Sequence, residues 1–262
     1  MTPHPAKPDD GVAWVTGGNS GIGKALALRL ARKGWKVVIS ARRAEALQSV
    51  ADEMPDRIFI APVDLTKPDE VQSTIARIEA DHGPIALAVL NAGIYLPVDA
   101  EAPRFEDYKK TFDVNLGGTA ACLCALTPRM SERKSGQIAI VSSATSFGGM
   151  PTSSAYGASK AALVNMAECL RIELHRYGVH VQIVTPGFVE TPAQDDNSFP
   201  KPFMVSPETA AERIETGLAS KRFEITFPRR FTWMLKAIYA LPYAWSLPLV
   251  RKQTGWDKPP ET

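Results

Sequence analysis

Tyr156 and Lys160 stand four residues apart, and Ser142 and Ser143 precede them by a short stretch. On a helix, positions i and i+4 share a face, so an ammonium can sit beside a phenol. A free phenol, with a pKa of about 10, exchanges protons poorly at neutral pH. A neighbouring positive charge favours the phenolate, and Lys160 is expected to lower the pKa of Tyr156 into a working range. Such a pair becomes a redox site only if the chain also supplies a cofactor and a group that polarises a carbonyl.

The elements that must position the pair alternate. A short apolar strand over 11–16 runs into the turn 17–23, a helix with apolar spacing follows to Lys33, and a strand over 35–40 closes a first βαβ unit. Further helices are expected at 43–53, 67–82, 105–130, 153–177 and 207–219. Strands are expected at 57–61, 85–90, 136–142, 179–184 and 223–227. Strands joined by helices imply a doubly wound parallel sheet in an α/β fold, with helices on both faces and right-handed crossovers. A chain of 262 residues is ordinary for one such domain.

The glycine turn is the candidate cradle for a pyrophosphate. Gly17 permits the tight turn, Gly21 lets backbone approach phosphate, and Gly23 allows close packing, with Asn19, Ser20 and Ile22 between them. The helix that follows offers N–H groups and a positive dipole end. After the second strand comes Ser40-Ala41-Arg42-Arg43, without a carboxylate to bind a ribose 2′-hydroxyl. A guanidinium there suits a 2′-phosphate, so NADP is favoured over NAD, with Arg42 ahead of Arg43.

Taken together, these stretches resemble the short-chain dehydrogenase/reductase family in its single-domain, Rossmann-type form. The resemblance covers roughly 11–191 and rests on Thr16-Gly17-x-x-x-Gly21-x-Gly23, Asp64-Leu65, Asn91-Ala92-Gly93, Asn115, Ser143, Tyr156-x-x-x-Lys160 and Pro186-Gly187-x-x-x-Thr191. It implies an adenine contact at Asp64 and a segment at Asn91–Gly93 that steadies the central strand beside the adenosine ribose. It implies that Asn115 bends its helix and binds a relay water, and that Ser143 bonds the substrate oxygen, with Ser142 and Ser146 as lesser candidates. Lys160 would hold the nicotinamide ribose, and Val189 and Thr191 the carboxamide. Elementary chemistry agrees: hydride reaching a carbonyl carbon leaves charge on oxygen, which needs a hydrogen-bond donor and a proton source. The nicotinamide brings the hydride, so no metal is required. His4, His82, His175 and His180 lack ligand spacing.

Composition excludes other classes. A net charge of +2 gives no footprint for nucleic acid, and 45% hydrophobic with 22% charged residues is globular. Cys122, Cys124 and Cys169 sit in apolar helical patterns and read as reduced, buried thiols of a cytoplasmic protein. Residues 1–10, with three prolines, read as a disordered lead-in to a domain over 11–228. Within that domain, 188–206 reads as a mobile loop beside the site.

The extension 229–262 departs from the family pattern of a strand and a glycine-rich tail that builds a tetramer. Its aromatic segment 231–250 is flanked by Arg229, Arg230, Arg251 and Lys252, and Lys236 and two prolines argue against a membrane span. It reads either as a cleft cover or dimer contact, or as a helix in peripheral contact with a membrane. An apolar tail suits a lipophilic ketone or aldehyde, and a weak likeness to 3-ketosphinganine reductases points the same way. A homodimer through the helices at 105–130 and 153–177 is expected. An NAD-dependent alcohol dehydrogenase and a non-catalytic nucleotide-binding regulator are the rival readings.

Overall fold

In the computed structural model, residues 2–191 and 202–257 are described. Seven strands, β1 (Val12–Thr16), β2 (Val37–Ser40), β3 (Ile58–Ile60), β4 (Ile85–Leu90), β5 (Gly136–Val141), β6 (Val179–Pro186) and β7 (Glu224–Phe227), form one sheet. All neighbours pair in parallel, in the order β3-β2-β1-β4-β5-β6-β7. The five inner strands are buried along their whole length, while edge strands β3 and β7 are partly exposed. Burial on both faces explains why the strands read as apolar runs without alternation.

Helices cover both faces. α1 (Gly21–Arg32), α2 (Ala44–Ala51) and α7 (Pro207–Leu218) pack one side through Leu26, Leu30, Leu47 and Ile214. α3 (Pro68–His82), α5 (Gly118–Glu132) and α6 (Ser154–Leu174) pack the other through Ile75, Leu126 and Leu163. The starts are set locally. Ser206 accepts the Thr209 amide at 3.2 Å with Pro207 in the first turn, so α7 begins with a side-chain cap and a fixed φ. The strand order reverses between β1 and β4, and at such a switch point a crevice opens at the carboxyl ends of the strands.

Four expectations need correction. The helix expected over 105–130 is three pieces: α4 (Phe105–Phe112), a π-helical turn (Asp113–Gly117) and α5. The wider turn swings Asn115 inward, where it is fully buried. The lead-in is not free chain: the Ala6 amide donates to Gln137 Oε1 at 2.7 Å, because that buried amide needs a donor at the end of β5. Of the three free thiols only Cys122 is buried, since Cys124 and Cys169 fall on the outer faces of α5 and α6. The aromatic tail is two helices, α8 (Arg229–Tyr239) and α9 (Tyr243–Gln253), divided at Pro242, which cannot continue the helix before it. The loop expected over 188–206 lies mostly outside the described residues.

Candidate active site

A cleft of about 670 Å³ opens over the carboxyl ends of β1, β2, β4, β5 and β6. The turn after β1 forms its floor. Gly17 and Gly21 take φ of 65° and 51°, and a Cβ on Gly23 would lie 2.1 Å from the Gly17 carbonyl oxygen. Asn91 locks this turn: its Nδ2 donates to the carbonyls of Thr16 at 3.0 Å and Gly17 at 3.3 Å. Thr16 Oγ1 in return accepts the amides of Asn91 and Ala92 at 2.9 and 3.1 Å. Ser20, at the N-cap of α1, makes no side-chain cap bond, so the first-turn N–H groups remain available to an anion. The glycines, the open helix end and the cleft's size fit a dinucleotide.

Nearly all the expected cofactor residues line this cleft: Gly17, Asn19, Ser20, Gly21, Ile22, Arg42, Asp64, Leu65, Asn91, Ala92, Gly93, Pro186, Gly187, Val189 and Thr191. Gly23 and Arg43 do not, nor does Asn115, the residue expected to hold a relay water. Gly23 packs beneath the turn, Arg43 is the exposed N-cap of α2, and Asn115 is buried behind the wall. Arg42 sits near enough to Asp64 for its charge to act there. The hydroxyl and amide of Thr66, at 2.8 and 3.0 Å, hold the Asp64 carboxyl below its ordinary value, and Arg42 adds to this. Thr191 closes the opposite rim, so near that a Cβ on Gly21 would lie 3.0 Å from its methyl group.

Tyr156 and Lys160 occupy the first turns of α6. Tyr156 lines the cleft beside Ser143, which follows β5 and whose Oγ accepts the Thr145 amide at 3.3 Å. Burial pushes the phenol up to about 12, with the neighbouring Ser143 hydroxyl pulling down and Tyr95 adding upward. The expectation that Lys160 lowers the phenol is therefore not met. The same burial acts on the ammonium and depresses it to about 8. Lys160 Nζ donates to the Val141 carbonyl at 2.9 Å.

Asn115 fixes the cleft wall from behind. Its Oδ1 accepts the Ile94 amide at 2.8 Å, and its Nδ2 donates to Ile94 O and Ser159 Oγ, each at 3.0 Å. Both amide hydrogens are thus used, which leaves only an oxygen lone pair for any water. A Cβ on Gly93 would lie 3.1 Å from Asn115 Oδ1 and 3.3 Å from Lys160 Nζ, so glycine lets the two approach. Ser142 is structural: its hydroxyl donates to the Lys160 carbonyl at 2.7 Å. Ser146 likewise bonds backbone, at the Ser143 carbonyl.

The sequence reading missed Tyr95. Its ring meets Tyr156 edge-on at 5.1 Å, and its hydroxyl lies 2.9 Å from Thr152 Oγ1. The only signal was an aromatic two residues beyond Gly93. On the same side, Met150, Phe188 and Phe231 line a small pocket with Ser143 and Tyr156. Phe231 comes from α8, and Tyr239 of the same helix donates to the Gly149 carbonyl at 2.6 Å. The start of the tail therefore covers the apolar end of the cleft. Among the described residues, no cluster of His, Cys, Asp or Glu converges to hold a metal.

A parallel α/β sheet with a phosphate-type glycine turn and a tyrosine–lysine–serine group at the switch point defines a nicotinamide-dependent oxidoreductase. Residues 11–200 match the family model described as short chain dehydrogenase, and the chain belongs to that family. A curated Myxococcus xanthus (strain DK1622) protein, called an uncharacterized oxidoreductase, is 37% identical over 88% of this chain and 92% of its own length. A short-chain dehydrogenase from Streptomyces avermitilis superposes with a TM-score of 0.77 at 27% identity, covering 94% of this chain and 95% of that one. An actinorhodin polyketide ketoreductase solved with NADPH matches with a TM-score of 0.77 at 26% identity, over 85% of this chain and 97% of its own.

Proposed function

We propose that this protein is an NADP(H)-dependent carbonyl reductase acting on a lipophilic ketone or aldehyde. The observation that carries the reading is that Ser143 and Tyr156 line both the large cleft and the small apolar pocket beside it, with Lys160 on the cleft side. Bound nicotinamide supplies hydride to the carbonyl carbon. Ser143 donates to the carbonyl oxygen and so favours the charge that develops there. Tyr156, protonated at neutral pH, donates the proton that completes the alcohol. Lys160 holds the ribose and its charge faces the phenol.

Arg42 at the cleft, with no carboxylate after β2, supports NADP over NAD. The neighbour solved with NADPH and a serine dehydrogenase solved with NADP+, 25% identical with a TM-score of 0.74, lend the same support. Met150, Phe188 and Phe231 support an apolar substrate. Exposed Phe105 and Ile172 on α4 and α6 support a homodimer through that face.

The test is a panel of steroids, 3-keto lipids, small ketones and sugars with NADPH and NADH in parallel. NADPH oxidation with the hydrophobic ketones is expected. Tyr156→Phe should lower turnover by about 10²–10⁴-fold while NADPH still binds. Equal turnover of sugars and long-chain ketones would remove the lipophilic assignment, and full activity in Tyr156→Phe would remove the mechanism.

A further inference from the structure

We propose that the outer face of α8 and α9 docks onto an anionic lipid bilayer. Of the eleven large apolar side chains that are exposed among the described residues, seven fall between Trp233 and Trp256. Tyr243, Trp245 and Trp233 are 80, 67 and 64% exposed. α9 buries Ser246 and Val250 and half-buries Leu249, so among the described residues most of that helix faces outward. An apolar face of this extent on a protein surface marks an interaction site.

Charge selects the occupant. From 225 to 256 there is no aspartate or glutamate, and five basic residues are present: Arg229, Arg230, Lys236, Arg251 and Lys252. Lys236 is engaged with Glu224. The other four form no ion pair among the described residues. A second copy docked on this face by two-fold symmetry would set basic residues against basic residues, with Asp257 the one acidic residue from 225 to 257 to offset them. Anionic headgroups complement all four. Indole and phenol rings favour the boundary between lipid and water, where the ring is apolar and its polar edge stays wet.

The geometry is that of lying on a bilayer. Among the described residues no helix is long and apolar enough to cross a membrane. Both helices are short, each of 11 residues, and Pro248 sits inside α9. The inner face of α8 carries Phe231, whose ring lies 5.5 Å from Phe188 at the apolar end of the cleft. Docking through the outer face therefore sets the substrate side of the site beside the lipid. Delivery of a membrane-dissolved ketone rests on the function proposed above, whereas docking itself does not.

The experiment is sedimentation of the full chain with vesicles of equimolar phosphatidylcholine and phosphatidylglycerol, with pure phosphatidylcholine in parallel. The wild type is expected to sediment with the anionic vesicles, less so at high salt, with its tryptophan emission shifted to the blue. Arg251→Glu with Lys252→Glu should weaken partitioning at least tenfold, since each basic residue contributes about fivefold near such a surface. Trp245→Ser with Leu247→Ser should weaken it comparably. NADPH affinity and the unfolding midpoint should stay unchanged in both double variants, which shows that the fold is intact. Wild type that stays in the supernatant with both vesicles would overturn the proposal. So would an oligomer, seen by light scattering, that dissociates in the Trp245→Ser, Leu247→Ser variant, because the face would then join copies of this chain. Failure of the ketone panel with vesicle binding intact would remove the substrate reading alone.

Discussion

The Lys160 ammonium lies over the Tyr156 ring, 5.5 Å from its centroid, with the Val141 carbonyl as its hydrogen-bond acceptor. Burial drives the two groups in opposite directions, the phenol up to about 12 and the lysine down to about 8. The phenol is therefore a proton donor at neutral pH, the form that reduction needs. The lysine is charged below about 8 and loses that charge as pH rises through it. If Lys160 holds the cofactor ribose, NADPH affinity in the wild type should fall as pH rises through about 8. Lys160→Ala should bind NADPH weakly at every pH and turn over slowly. Fluorescence titration of NADPH across pH checks both, and a variant with normal affinity but lost turnover would remove the ribose role.

Cofactor choice separates two adjacent arginines. Arg42 lines the cleft and Arg43 caps α2 outside it. A charge-assisted hydrogen bond contributes about 1.5–3 kcal/mol. Arg42→Ala should thus weaken NADPH roughly tenfold to a hundredfold with little change for NADH, and Arg43→Ala should change either less than about threefold. Equal losses for both cofactors in Arg42→Ala would sink the 2′-phosphate contact.

Most of the fold could be read because the forces that build it act locally. Strands such as Ile85–Leu90 are buried on both faces, so they appear as apolar runs, and α7 announces itself through Ser206, Pro207 and a buried stripe. What could not be read depends on distant partners. The apolar spacing of 105–130 reads as one continuing helix, and only the resemblance implies a bend at Asn115; the π turn at Asp113–Gly117 is fixed by the reach of Asn115 to Ile94 and Ser159. Likewise Ala6 is ordered by Gln137, far along the chain. The shift at Tyr156 runs against expectation for a related reason: spacing reveals the pair, but burial, which outweighs the pairing and also depresses Lys160, is a property of the folded cleft.

Phe231 links the tail to the site. It is 4% exposed and packs with Phe188, Leu235 and Tyr239. Truncating a buried phenylalanine to alanine costs about 3–5 kcal/mol, part of it from the cavity left behind. Phe231→Ala should lower the urea midpoint accordingly and raise KM for hydrophobic ketones more than for small ones. Phe231→Leu, which keeps most of the volume, should restore much of the stability. An unchanged KM ratio in both variants would show that α8 covers the cleft without shaping substrate choice.

At the opposite end of the sheet, His180 is fully buried on β6, with Nδ1 2.8 Å from Arg171 Nη1 and Nε2 3.2 Å from the Ser220 carbonyl. This geometry requires a neutral ring that accepts from the guanidinium and donates to the carbonyl. Burial pushes its pKa down to about 4, and the charges of Arg171 and His4 act in the same direction against the bond to Ser220. The unfolded chain binds this proton near 6.5 and the folded one only near 4. Stability from this residue is therefore complete above about 6.5 and is lost as pH falls toward 4, by roughly 3 kcal/mol in all. Urea unfolding of the wild type and His180→Gln, each measured from neutral pH down to about 4, isolates that contribution from the carboxylates that both proteins share. The difference in stability between the two should shrink as pH falls through this window. A difference that stays constant would show that His180 titrates alike in both states and that its buried bonds persist with the ring charged.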